Sequence, residues 1–168
     1  MKPTTTQHQP YFKKYIDDVE EGELTELLMK SKNEMEQFVI KIPTHKAAFK
    51  YAENKWTIKQ VLMHIIDCER IFAYRALCIA RGETQNLPGF EEDDYATQCH
   101  TEYRNLNDII EEFIAVRQAT IQLYKHIDET QLLKTGMANQ AVITPNAIGY
   151  IIIGHQMHHI KVIAEKYL

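Results

Sequence analysis

In the segment Gly154-His155-Gln156-Met157-His158-His159-Ile160, His155 and His159 stand four residues apart. On a helix that spacing puts both imidazoles on one face, about one turn apart, where a single ion can bind both. A tripodal site needs a third donor from a facing helix. His64 offers one, because it sits among Val61, Ile65 and Cys68 on a face that a bundle turns inward. The bland alternative is structural for all three. A buried polar side chain needs only one ordinary partner, and paired histidines on a surface helix are simply solvated. His158 lies about 100° around the helix from His159, outside the same tripod. It is expected behind a ligand, at a boundary or in solvent.

Three neutral histidines leave a divalent ion its full charge and at least one open position. With Zn²⁺ the arrangement is tetrahedral and a bound water has a pKa of about 7. Ni²⁺, Fe²⁺ or Mn²⁺ in six-coordinate geometry would leave more positions open. Such a centre can polarise a substrate, activate water, or hold a thiol as its thiolate. The segment from His155 to His159 also has the outline of the zinc-protease HExxH pattern, but Gln156 stands where the general-base glutamate belongs. Glutamine accepts no proton from water, so a peptidase of that kind is disfavoured.

Neighbouring residues have less definite roles. Asp67 can hydrogen-bond a ligating histidine, sit near the ion, or be a solvated carboxylate. Glu69 is expected in solvent or paired with Arg70 or Arg75. Cys68, one turn from His64, is expected to pack as a small apolar side chain rather than to bind the ion. Trp56, Tyr74 and Tyr150 read as packing residues able to line a pocket. His8, His45, His100 and His126 are assigned no role.

Four helices are expected to position these groups. The first covers Glu23–Ile40, with Leu24, Leu27, Leu28, Met35, Phe38 and Val39 near helical period, and stops before Pro43. The second opens at Thr57, with Gln60 three residues on as a capping box, and runs to Arg81 before Gly82. The third is expected over Ala96–Ile127, with Leu106, Ile109, Ile110, Phe113, Val116, Thr120, Leu123 and Tyr124 on one stripe. The fourth opens with Thr144-Pro145 and reaches the C-terminus. Loops over Gly82–Tyr95 and Gly136–Ile143 are expected to shape a pocket mouth. No strand is needed. The fold class is therefore all-α, a four-helix bundle, in one domain over residues 11–168 after a flexible extension at residues 1–10.

The chain has 168 residues, 45% of them hydrophobic and 25% charged, the balance of a globular domain with a substantial core. Only 6 glycines and 5 prolines favour long helices over turn-rich β architecture. A net charge of −4 without any basic block argues against a general nucleic-acid binder. No segment has the apolar length of a membrane span or the h-region of a signal peptide. Cys68, Cys78 and Cys99 form neither an even set nor a CxxC motif, and read as reduced thiols in the cytoplasm.

Three blocks together resemble the DinB-like superfamily, in particular its YfiT-like branch of metal-dependent enzymes. They are Lys55-Trp56-Thr57-Ile58-Lys59-Gln60-Val61-Leu62-Met63-His64-Ile65-Ile66-Asp67-Cys68-Glu69-Arg70, then Leu87-Pro88-Gly89-Phe90, and Gly154-His155-Gln156-Met157-His158-His159. The resemblance implies an up-down four-helix bundle, often a homodimer, with a divalent metal ion on His64, His155 and His159. It further implies kinship with enzymes that use low-molecular-weight thiols such as bacillithiol or mycothiol. A small-molecule substrate and thiol S-transfer are accordingly the expected chemistry. A metal-dependent hydrolase and a non-catalytic metal- or ligand-binding bundle are the alternatives, since fold and ligands do not fix the reaction.

Overall fold

A computed structural model describes all residues, 1–168. A 3₁₀ turn at Pro10–Phe12 leads into the short α1 (Lys13–Asp18). The long helices are α2 (Leu24–Val39), α3 (Ile58–Ala80), α5 (Leu106–Lys125) and α7 (Pro145–Lys166), with short α4 (Glu92–Gln98) and α6 (Glu129–Leu132) between them. The four-helix bundle is as expected.

Helix boundaries follow local chemistry. Thr57 accepts from the Gln60 amide while the Gln60 side chain accepts from the Thr57 amide, which closes the capping box of α3. Its far end stops at Gly82, whose φ of +95° is a conformation that glycine adopts without strain. Thr144 caps α7 and Pro145 occupies its first turn, where no amide donor is missed.

α2 and α7 run one way, and α3 and α5 the other. Ser31 meets Gln156 and Leu24 meets Gly149, so α2 and α7 are parallel. The C-terminal Tyr167 hydroxyl donates to the Trp56 carbonyl at the start of α3, so α3 and α7 are antiparallel. Each of α2 and α3 packs on α5 and α7, which leaves the sequence neighbours α2 and α3 diagonal to one another. Short loops would make consecutive helices adjacent. The connections here, residues 40–57, 81–105 and 126–144, are long enough to cross the bundle.

Three expectations need correction. The third helix does not begin at Ala96. α4 ends at Gln98, His100 takes a left-handed φ of 45°, and a 3₁₀ turn covers Thr101–Tyr103. α5 starts afresh at Leu106, behind a capping box of Asn105 and Asp108. The intervening segment is tied to α3: Lys59 donates to the carbonyls of Thr101 and Arg104, and Gln60 to that of Ala96.

Second, strands are present. β1 (Asn86–Leu87) pairs in parallel with β2 (Gly136–Ala138), which pairs antiparallel with β3 (Ala141–Ile143) across a tight turn with positive φ at Asn139 and Gln140. That turn is the two-residue type whose twist matches a hairpin. Third, residues 1–10, expected as a flexible extension, touch the bundle. Pro3 and His8 are buried, the Gln7 carbonyl accepts from the Thr144 amide, and Asn146 donates to the Met1 carbonyl.

The core has two apolar clusters. One gathers Leu24, Leu28, Phe72, Ile79, Tyr124 and the start of α7, and the other Met35, Leu62, Ile66, Ile109, Phe113 and Ile163. Between them lies a polar layer at the level of Ser31, His64, Glu69, Arg117, His155 and Gln156. No helix is long and apolar enough to cross a membrane.

Candidate metal centre

The antiparallel contact of α3 and α7 brings His64, His155 and His159 together. Nε2 of His155 lies 3.0 Å from Nε2 of His64 and 3.0 Å from Nε2 of His159. Ligand atoms of all three fall within 4.8 Å of one another. His64 and His155 are buried and His159 half-buried. Burial holds all three below the ordinary histidine range. His64 is lowered to about 4 and His159 to about 3. His155 falls well below its usual value, first by burial and then by repulsion from His159 and His64. At neutral pH the cluster is three uncharged imidazoles.

Such a cluster does not satisfy itself. A neutral imidazole carries one proton, so Nε2 of His155 either donates or accepts and cannot serve both neighbours well. Nδ1 of His159 is buried without any partner, and no carboxylate backs any of the three rings. Converging lone pairs of neutral nitrogen are the donor set of a divalent transition ion. A tetrahedral ion bonding nitrogen at about 2.0–2.1 Å sets two ligands about 3.4 Å apart, so the two contacts at His155 need to open by only about 0.4 Å. The residues fit a metal.

A cavity of about 240 Å³ opens over the histidines. Its walls are largely aromatic. The Trp56 ring centroid is 4.7 Å from that of His64, and Tyr15 stands edge-on to His155 and His158, at 5.5 Å from each. Tyr11, Phe12 and Phe72 extend the lining, and Glu92 is its one carboxylate. Desolvation raises the pKa of Glu92 above the ordinary range, and its neighbours Asp93 and Glu91 add to the rise.

The structure sorts the remaining candidates. His158 lines the cavity but stays out of the cluster, as the helix angle required. Cys68 packs in the apolar core with its sulfur 3.6 Å from both ring nitrogens of His64, and burial pushes its thiol pKa up. Asp67 makes no hydrogen bond to a histidine. It pairs with Arg70 at 3.6 Å, and burial raises its pKa. Glu69 overturns its expectation. It is 2% exposed and receives both arms of Arg117, at 2.7 and 2.9 Å, while Arg70 bonds Glu112.

Gln156 is wholly buried and points away from the cavity, donating to the Ser31 carbonyl. Arg117 also donates to the Ser31 hydroxyl at 2.5 Å. Each of the four long helices thus contributes one residue to a buried polar network beside the histidines. The expected mouth is only partly right. Glu92 comes from the Gly82–Tyr95 stretch, but Gly136–Ile143 forms the small sheet, and residues 11–15 supply the missing wall.

Sequence reading missed Arg117 and the N-terminal wall. Arg117 had a signal, because it falls on the apolar stripe of α5, four residues after Phe113 and three before Thr120. The wall had a weaker one, Tyr11, Phe12 and Tyr15 clustered in an otherwise polar start.

Antiparallel helices bearing a buried histidine tripod define a four-helix-bundle protein with a candidate metal site. The profile of the DinB superfamily matches residues 27–163, and the chain belongs to that superfamily. Among solved structures it is similar to YfiT from Bacillus subtilis, described as a probable metal-dependent hydrolase with an unusual four-helix bundle topology. The TM-score is 0.77 at 16% identity, over 98% of this chain and 90% of YfiT. A DinB-like protein, YjoA, also from Bacillus subtilis, has a TM-score of 0.58 at 17% identity, over 88% of this chain and 95% of its own. No curated protein matches the chain.

Proposed function

We propose that this protein is a metal-dependent enzyme acting on a small molecule, with His64, His155 and His159 as the ligands of one divalent ion and thiol S-transfer as its reaction. The observation that carries the metal is the convergence of three uncharged imidazoles, with Nε2 of His155 shared between two neighbours and Nδ1 of His159 buried without a partner. A bound Zn²⁺, Ni²⁺, Fe²⁺ or Mn²⁺ supplies Lewis acidity, which favours the deprotonated form of a thiol or water.

The chain's own residues do the rest. Three neutral ligands leave the cation's charge uncompensated, which suits an anionic sulfur. Aromatic walls exclude water and accept an apolar electrophile. Glu92, the one carboxylate on the wall, takes the thiol proton. The sulfur then attacks the electrophilic carbon, a C–S bond forms, and the leaving group departs with the bonding electrons. A low-molecular-weight thiol is the co-substrate in this reading, and the setting is the reducing cytoplasm, consistent with three free cysteines. A homodimer is the proposed assembly.

Hydrolysis is the second reading, favoured by the description of YfiT. The non-catalytic alternative, a metal- or ligand-binding bundle, is separated from both by turnover. Protein purified without metal-affinity resin is expected to hold about one metal per chain, lost in His64→Ala and His159→Ala. Loaded protein is then assayed with cysteine or glutathione plus a halogenated aromatic electrophile, and separately with an activated ester. Thioether formation that depends on His159 supports S-transfer, and ester cleavage alone supports hydrolysis. Metal without turnover leaves a binding bundle. Wild-type protein that takes up none of the four ions removes the metalloenzyme reading.

A further inference from the structure

Two guanidinium groups are buried in this protein, and their surroundings differ. Arg117 is 0% exposed and is held by both oxygens of Glu69. Arg75 is 6% exposed and forms no ion pair with any carboxylate. Its one hydrogen bond runs to the Pro88 carbonyl at 2.6 Å. Its carbon lies 5.6 Å from the Phe72 ring centroid and 5.9 Å from that of Phe90. Four carboxylates, Glu91 to Asp94, follow directly after Phe90, and none of them turns back to Arg75. A guanidinium is always charged and presents five donors in a rigid fork, and charges this buried are ordinarily paired.

The unpaired fork borders a cavity of about 150 Å³, lined also by Tyr74, Leu87, Pro88, Phe90 and Tyr95. Tyr74 and Tyr95 are exposed at its mouth. The backbone of the Leu87-Pro88-Gly89-Phe90 block is fixed by the β1–β2 pairing on one side and by the Arg75 hydrogen bond on the other. Phe72, whose ring faces the Arg75 guanidinium, also lines the histidine cavity.

We propose that this second cavity is an anion-binding subsite, in which Arg75 takes a two-oxygen anionic group, carboxylate or phosphate, of a small molecule whose apolar body rests on Phe90 and Tyr95. The fork geometry of arginine matches such groups and supplies the two parallel donors they accept. This assignment does not depend on a metal at the histidines.

The test is a titration of the full-length, ¹⁵N-labelled protein with sodium benzoate and with inorganic phosphate, following the Arg75 Nε–H and the Gly89 and Phe90 amides. Sodium chloride at matched ionic strength and benzylamine are the controls. Saturable shifts at Arg75 are expected with an affinity on the order of 1 mM for so small a ligand. Benzoate acting more strongly assigns a carboxylate, and phosphate acting more strongly assigns a phosphoryl group. Arg75→Lys, which keeps the charge and loses the fork, is expected to bind about tenfold more weakly. His159→Ala is expected to bind as wild type does, which separates the subsite from anions captured at the histidines. Absence of saturable shifts at Arg75 in the wild-type protein overturns the proposal, and so does a chloride response of equal size. The wild-type measurement decides even where an Arg75 variant fails to fold.

Discussion

Glu69 and Arg117 carry opposite charges where water has no access, and the geometry between them is bidentate. Removing one partner of such a pair strands the other, which costs about 3–5 kcal/mol. Glu69→Ala is therefore expected to lower the free energy of unfolding by about that amount in denaturant titrations. The paired replacement of Glu69 and Arg117 by methionine is expected to recover most of the loss, because it removes both charges together. An equal loss in the double variant would show that Ser31 and Gln156, not the ion pair, hold this layer. Glu69 was hard to read because Arg70 and Arg75 lie within one or two turns of it, and spacing alone offers them as partners. Its true partner is 48 residues away on another helix, and only the tertiary fold supplies that information. The histidines were legible for the opposite reason. Two of them share one helix face, and the third lies on an apolar stripe that had to turn inward.

At the scale of elements, the site depends on how closely α1 lies against α7. Gly154 permits that approach, since a Cβ built there would stand 2.0 Å from the Tyr15 carbonyl oxygen. The obstacle is backbone, which cannot swing aside as a side chain can. Gly154→Ala is expected to push α1 off α7, taking Tyr11, Phe12 and Tyr15 away from the cavity and costing at least about 1–3 kcal/mol. Because its histidines are untouched, the variant should still bind one metal while hydrogen exchange at residues 12–19 accelerates. Unchanged protection there would show that α1 accommodates the extra carbon.

The cap of α3 gives a milder prediction at the same scale. Thr57→Ala is expected to cost about 1 kcal/mol in denaturant titrations, as the loss of an N-cap ordinarily does, with the helix retained. These boundaries were legible because capping residues act within four positions of sequence. The break before α5 was not, since its apolar stripe merges with Ala96 and the acidic turn before it. The strands were too short to show any alternation, at two or three residues each.

The whole molecule has a core divided by one polar level, with three histidines on one side and the Glu69–Arg117 network on the other. Without metal, that level makes the fold sensitive to acid. His64 takes up its proton near pH 4 when folded and near its ordinary 6.5 when unfolded. Between those values the unfolded chain binds a proton that the folded protein refuses, so stability is full above about pH 6.5 and falls as pH drops toward 4. For His64 alone the loss from neutral pH to pH 5 is about 2 kcal/mol. His155 and His159, lowered for the same reason, act in the same direction. Chelator-treated protein should therefore show an unfolding midpoint that declines steadily from pH 7 to pH 5. His64→Phe, which removes the titrating ring and keeps an aromatic one, should flatten that decline. Bound metal should oppose it as well, adding about 2.7 kcal/mol at a free concentration one hundred times the dissociation constant. If the midpoint of chelated protein is flat over this range, the histidines are not held neutral by burial. The cavity must then admit enough water to solvate an imidazolium, which would also weaken the case for a dry site that favours an anionic sulfur.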